Sequence, residues 1–557
     1  MSSNDKKPKP KPECVGWDCG AGAIRIANMD TRYRPEPQLI TSQMDDRHFL
    51  AMTCMRVPQA FHRSTLFNTP AHIIMDAFRC QPTKSDYLFC VERGENDEYI
   101  IPSHRRLMKN NPTLEDLKAN GIPPDSQTFK HEEIMASIIQ EISKAFNVRN
   151  VSQKEAYICI PDAASLDHIR KLRRAFIEVF NKRQEAKKNP KLEDTKSSDP
   201  PAALEDEKPL NPSNIFFIQR TAAAIQMYFH RRSGVKVYDH NREQFHRENR
   251  VVPQERDQII LPRTVVVIAF GAGHFSSAIY KQETFERYGI RHIFNQSDDA
   301  LGGEDLCYRL CEHAAKHPKL DEPGKEALKN PRLKKFLRNT MDQAKIDLSG
   351  FTPAIVDVEV NDDRVETLEI TRDDFEKKIA KKEFDKIENY IKNLKEHTEG
   401  LDVTDVLLVR GSTRTKRILD LVGQYFHEVP IVKCLNTDEC IVMGTALKGA
   451  LKNGIHRTAY AEVEDIAMHD QWVEIDGIQL YLTKKYESVQ NSKEHWIEPF
   501  GKNKLTYNGK EIDTKSGKTF SWKRDVACDP CIMTENRIHE EMTKGFNPAA
   551  NNVTVTA

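Results

Sequence analysis

Thr264-Val-Val-Val-Ile-Ala-Phe-Gly-Ala-Gly-His-Phe-Ser-Ser-Ala-Ile-Tyr280 decides the fold. The β-branched run Val265–Ile268 reads as a buried strand. Gly271-Ala272-Gly273 then makes a turn that tolerates positive φ and points backbone N–H groups outward. Phe275, Ala278 and Tyr280 mark the return strand. Alone, this is either a plain hairpin or a phosphate-holding one. A second copy lies near the N-terminus, where Val15–Ile26 is again strand, Gly20-Ala21-Gly22 turn, strand. Two such hairpins far apart in one chain predict two similar lobes closing on one ligand.

The chain has 557 residues, enough for several domains. Lys+Arg and Asp+Glu are each 83, so no global field favours nucleic acid. No apolar run approaches a membrane span. Residues 1–12 are a Lys/Pro tail without an apolar stretch, so a secretory leader is not expected. The expected location is cytoplasmic, with the nucleus as a second possibility. The twelve cysteines are scattered and are read as reduced and mostly buried. Cys528-Asp-Pro-Cys531 is either a metal or redox pair or a plain loop.

Apolar spacing predicts helices over His131–Phe146, Ser165–Lys187, Leu333–Leu348 and Phe375–Leu394. Strands are expected at Tyr87–Val91, Ala156–Ile160, Thr367–Ile370 and Val403–Val409, and Ile215–Ile225 reads as a strand running into an Ala-rich helix. Leu301-Gly302-Gly303-Glu304-Asp305 starts another helix, and its glycines are expected to leave N–H groups open to an anion. Gly411-Ser412-Thr413-Arg414 opens a helix to Phe426, and Asp438–Leu451 is a small-residue helix. Charged segments near 189–212 and 237–262 read as insertions. Hairpins are expected at Trp472–Leu482 around Asp476-Gly477, at Leu505–Ile512 around Asn508-Gly509, and over Thr514–Trp522.

In this order, the blocks VGWDCGAG, AYICIPDAASLDHIRKLRRA, FFIQRTAAAI, VVVIAFGAGHF, LGGEDLCYRL, DQAKIDLSG, VLLVRGSTRTKRI and NTDECIVMGTALKGAL resemble the ATPase region of the heat shock protein 70 chaperone family. The resemblance implies an α/β, actin-like, two-lobed ATPase fold over 13–453. It further implies a linker over 454–470, with Val463–Asp470 as a diluted version of the family's leucine-rich segment. A reduced β domain then occupies 471–557, where the family holds peptides. The long helical lid that would follow is missing or reduced to Thr534–Thr543.

The same resemblance names the nucleotide-facing residues: Asp18, Gly20, Gly22, Gly271, Gly273, Gly302, Gly303, Lys345, Ser349, Gly411, Ser412, Arg414 and Asp438. ATP or ADP is the implied ligand. Client polypeptides and co-chaperones are the implied partners, with neither nucleic acid nor membrane among them. The catalytic positions are replaced. Ala269 stands for an acid, Gln219 for Glu, Arg220 for Pro, Ala21 and Gly22 for paired Thr, and His274 for Thr. The family's essential Lys falls near Ile74. Magnesium wants carboxylates, directly or through water, and few remain. No catalytic or metal-binding residue is assigned. Arg410 stands where the family has glycine, and its side chain either stacks on a base or blocks it. Two functions follow: a divergent chaperone that binds nucleotide with weak or lost hydrolysis, or a pseudo-ATPase scaffold.

Overall fold

The computed structural model describes residues 14–20, 24–29, 156–162, 164, 169–179, 215–232, 262–283, 289–328, 331–361, 364–432, 435–452, 462–464 and 466. It also describes positions 136 and 139 and short strands near 38, between 92 and 130, and between 471 and 556.

Both glycine-cornered hairpins form. Cys14–Cys19 pairs antiparallel with Ile24–Met29, and Arg263–Phe270 with Phe275–Gln282. Each grows into a sheet of the same plan. In the first, the order is Gln38–Leu39, Ile24–Met29, Cys14–Cys19, Ala156–Ile160, Ile215–Gln219. In the second, it is Ile290–Asp298, Phe275–Gln282, Arg263–Phe270, Val403–Val409. In both, an antiparallel meander is extended beyond its first strand by a parallel one. This is the expected two-lobed α/β arrangement.

The second sheet is buried on both faces. Val266, Ile268 and Phe270 join a core with the helices Gly303–Ala315, Pro331–Gly350 and Lys381–Glu396. Val265, Val267 and Ala269 face the other way, into a core shared with the first sheet's Tyr157, Cys159 and Ile218. That period of two, hidden in a continuous apolar run, is how a two-faced strand looks in sequence.

Two helices fill the shared core. The crossover helix spans 220–232, and the closing helix is Cys440–Lys452. They cross backbone on backbone: a Cβ added at Gly444 would lie 1.8 Å from the Ala223 carbonyl oxygen. The closing helix also rests on the first sheet, where a Cβ at Gly16 would lie 2.5 Å from the Ala446 nitrogen.

The segment after the closing helix is docked at Val463. Val463 is fully buried and bridges in parallel to Ile290 at the edge of the second sheet. Its N–H donates to Gln226 Oε1 of the crossover helix (2.9 Å), and its carbonyl accepts from Lys448 Nζ of the closing helix (3.3 Å).

Toward the C-terminus, Gln471–Ile475 with Ile478–Thr483 and Leu505–Tyr507 with Lys510–Ile512 form the first two expected hairpins and share one sheet. The third differs. Thr519–Lys523 pairs antiparallel with Glu494–Ile497 and parallel with Asn552–Thr556, so it is the middle of a separate sheet. Tyr87–Val91, most of His131–Phe146, both charged insertions, Thr534–Thr543 and Cys528-Asp-Pro-Cys531 lie outside the described residues.

Candidate functional site

The cleft is built where the first hairpin meets the turns of the second lobe. Asp18, next to the turn end of Cys14–Cys19, is completely buried. Its Oδ1 accepts from Arg410 Nη2 (2.5 Å) and from the Cys159 thiol (3.2 Å). Arg410 is itself only 6% exposed. It reaches Asp18 because the backbone at Arg410 turns left-handed, with φ 78°. The Arg410 N–H donates to Thr437 O (2.7 Å), and Thr413 Oγ1 donates to Arg410 O (2.7 Å), which fixes that turn. The aliphatic stem then lies over the second hairpin: a Cβ at Gly271 would touch Arg410 Cγ and Cδ at 3.7 and 3.9 Å. The guanidinium therefore reaches across to the first lobe while the stem covers the glycine turn.

A second guanidinium stands behind it. Arg220, 5% exposed, opens the crossover helix and donates through Nη1 to His274 Nδ1 (3.2 Å). Arginine only donates, so His274 accepts at Nδ1 and carries its proton on Nε2. Burial alone would push the Asp18 carboxyl up, but Arg410 and Arg220 outweigh it and hold it below the ordinary carboxylate range. Burial lowers the Arg220 value, and Arg410 adds to that.

A further buried carboxylate, Asp162, escaped the sequence reading. It follows Pro161 at the end of the Ala156–Ile160 strand, the edge where open α/β sheets hold ligands, and that position was the available signal. It accepts from Thr221 Oγ1 and from Asn295 Nδ2 (3.1 Å), and Thr221 in turn contacts Tyr280 Oη (2.9 Å). Burial raises its value against these bonds. Asp162 thus ties the first lobe to the second sheet.

The glycines of Gly302-Gly303 are spent on packing, which corrects the expectation of open N–H groups. Gly303 N donates to Gly271 O (2.9 Å), Glu304 N to Ala272 O (2.8 Å) and Gly302 N to Asp305 Oδ2 (2.7 Å). A Cβ at Gly302 would sit 2.1 Å from Ala272 O, and one at Gly303 2.3 Å from Ser412 Oγ. The helix start is keyed into the second hairpin and the Gly411–Arg414 turn, and the N–H groups are consumed in doing so.

The expected adenosine-side residues also have partners within the chain. Lys345 Nζ donates to Gly303 O (3.1 Å) and pairs with Asp342 (2.6 Å). Ser349 Oγ bonds back to Lys345 O (3.4 Å). Arg414 pairs with Asp438 (2.6 Å), which also faces Arg25 of the first lobe (3.8 Å). Gly411 stands against Asp438. Gly20 and Gly273 are buried at their turns. Gly22, Ala21 and Ile74 lie outside the described residues.

These residues do not fit a metal-bound nucleotide. Ala269 and Gln219 offer no charge, and Asp18 already holds a cation. A divalent ion about 4 Å from that guanidinium would meet a repulsion of roughly 8 kcal/mol at an effective dielectric near 20. No group of three or more His, Cys, Asp or Glu is arranged to hold a metal among the described residues. No described helix is long and apolar enough to cross a membrane.

Residues 254–495 match the family model described as Hsp70 protein. The chain is 28% identical over 214 residues to a ribosome-associated molecular chaperone of Zygosaccharomyces rouxii, covering 37% of this chain and 33% of that protein. It is 26% identical over 251 residues to "Heat shock 70 kDa protein 2" of Paracoccidioides lutzii, covering 43% and 37%. The matched stretch thus spans about a third of each relative.

Proposed function

Through residues 254–495 this chain is a relative of the heat shock protein 70 family, and from that premise we propose a chaperone-like protein whose nucleotide cleft has become an internal strut. It works in protein folding or quality control in the cytosol, does not cycle ATP, and keeps its two lobes joined by protein contacts. Client polypeptides and co-chaperones are its partners, with the C-terminal hairpins as the client-facing part.

One observation carries this reading: the Arg410 guanidinium rests on Asp18 and its stem lies over the Gly271 turn. A cation from the second lobe neutralises the first lobe's cleft carboxylate. Ala269, Gln219 and His274 in place of acid and hydroxyl groups then follow, since no γ-phosphate needs those groups. Losing one oriented donor already costs about 100-fold or more in rate. Lys345 on Gly303 and Arg414 with Asp438 act here as ties between cleft walls, Ser412 packs against Gly303, and Ser349 bonds back into its own helix.

The test is MgATP turnover together with thermal denaturation in ADP. The wild-type chain is expected to show neither turnover nor a shift. Arg410→Gly, which restores a short residue at a left-handed position, is expected to gain an ADP-dependent rise in Tm without gaining turnover. Wild-type hydrolysis at ordinary chaperone rates would overturn the proposal, as would an Arg410→Gly protein that is folded yet indifferent to ADP.

A further inference from the structure

Cys307 and Cys311 lie four residues apart on the Gly303–Ala315 helix, hence one turn apart on one face. Cys307 is 1% exposed, and Cys311 is part-buried and forms the outer edge of the pair. One helical turn holds their Cβ atoms about 5–6 Å apart. Cys307 Sγ also donates to Arg338 O (3.6 Å) on the Pro331–Gly350 helix, so the pair sits in the seam between two helices. Nothing in the Arg410 strut uses them. Cys19, Cys159 and Cys440 are buried, and Cys159 is engaged on Asp18.

Three fates are open to two thiols one helical turn apart. A disulfide needs Cβ atoms about 3.5–4.5 Å apart. Helical residues at this spacing hold them about 5–6 Å apart, so oxidation would unwind a turn of the helix that keys into the cleft. Zinc needs four ligands, and the described residues provide no cluster of three. A single soft atom bonded to both sulfurs meets the geometry, because it bridges them without drawing the Cβ atoms together.

We propose that Cys307 and Cys311 form a bidentate site for monosubstituted trivalent arsenicals. An arsenoxide, R–As=O, meets the two thiols. Both S–H bonds break and two As–S bonds form. The oxygen leaves with both protons as one water, and arsenic stays trivalent, so no oxidant is needed. The organic substituent fills the third position and exits past Cys311. The second As–S bond forms within one chelate, which favours the pair over any lone thiol.

The sequence supplies a direct readout, since Arg309 lies between the two cysteines. The full chain is treated with phenylarsine oxide in excess monothiol, then cut with trypsin and mapped by mass spectrometry. The expected product is the two fragments flanking the Arg309 cut joined through one phenylarsenic group, released by a small competing dithiol. Cys307→Ser and Cys311→Ser should each lose that joined species completely, with Tm as the control for folding. Flanking fragments free of arsenic in the wild type would overturn the proposal. So would an adduct that survives either serine variant.

Discussion

Arg410 is the residue on which the cleft turns. A left-handed backbone at a non-glycine residue costs roughly 1–2 kcal/mol, and the buried ion pair with Asp18 offsets it. Removing one partner of such a pair destabilises by about 3–5 kcal/mol, because a buried charge is left behind. Arg410→Ala loses the pair and keeps the strain, whereas Arg410→Gly loses both. Urea unfolding should therefore rank Arg410→Ala below Arg410→Gly by about 1–2 kcal/mol. Equal stabilities would mean that the φ of 78° carries no strain. His292 supplies a second test. It stacks on Tyr280 with ring centroids 4.6 Å apart. Burial pushes its value down to about 4 against a backbone bond with Phe294, and Lys448 adds to the lowering. The folded value lies below the unfolded value of about 6.5, so the unfolded chain binds the proton first. Stability should be full above about pH 6.5 and fall as pH drops from about 6.5 to about 4. Tm measured across that window should show the decline, and His292→Gln should flatten it. Asp18 and Arg410 were each legible in the sequence as cleft residues. Their pairing was not, because nothing local sets how residues 392 positions apart will meet.

Among the elements, the glycine-tight helix crossing separates two roles that look alike on paper. Gly444 and Gly423 both sit inside helices. A methyl at Gly444 would lie 1.8 Å from a carbonyl oxygen, and one at Gly423 meets nothing within 4 Å. Gly444→Ala should cost about 3 kcal/mol, the upper end of ordinary overpacking. Gly423→Ala should be neutral or gain about 0.5–1 kcal/mol from helix propensity. Chemical denaturation of both variants tests the crossing, and a mild Gly444→Ala would refute it. The strand-turn-strand units were readable because β-branched runs and Gly-X-Gly corners are local signals. The fate of Gly302-Gly303 was not, because a glycine pair before a helix offers N–H groups equally to an anion or to a neighbouring carbonyl. Here the Gly271 carbonyl takes that of Gly303, and the Asp305 carboxylate takes that of Gly302. The third C-terminal hairpin misled for a related reason: Thr519–Lys523 finds its partners at Glu494–Ile497 and Asn552–Thr556, beyond the reach of turn chemistry.

At the scale of the molecule, the doubled hairpin announced two lobes, and the repeated sheet plan bears that out. What joins them beyond the shared apolar core was hidden, since those joints are polar contacts between distant segments. The docked segment at Val463 is one such joint. Gln226→Leu leaves the Val463 N–H buried without its acceptor, a loss of about 1–3 kcal/mol. That variant should be cut faster by a glutamate-specific protease at Glu462 and Glu464, while MgATP and ADP leave the wild-type rate unchanged. A nucleotide-dependent rate in the wild type would contradict the strut. The meeting of Ala223 and Gly444 has its own outcome for motion. Two bare main chains in contact have no side chain to compress, so they resist sliding and permit rocking. The crossing is a fulcrum: spin labels straddling it should hold their distance under any perturbation that lets labels across the cleft drift apart.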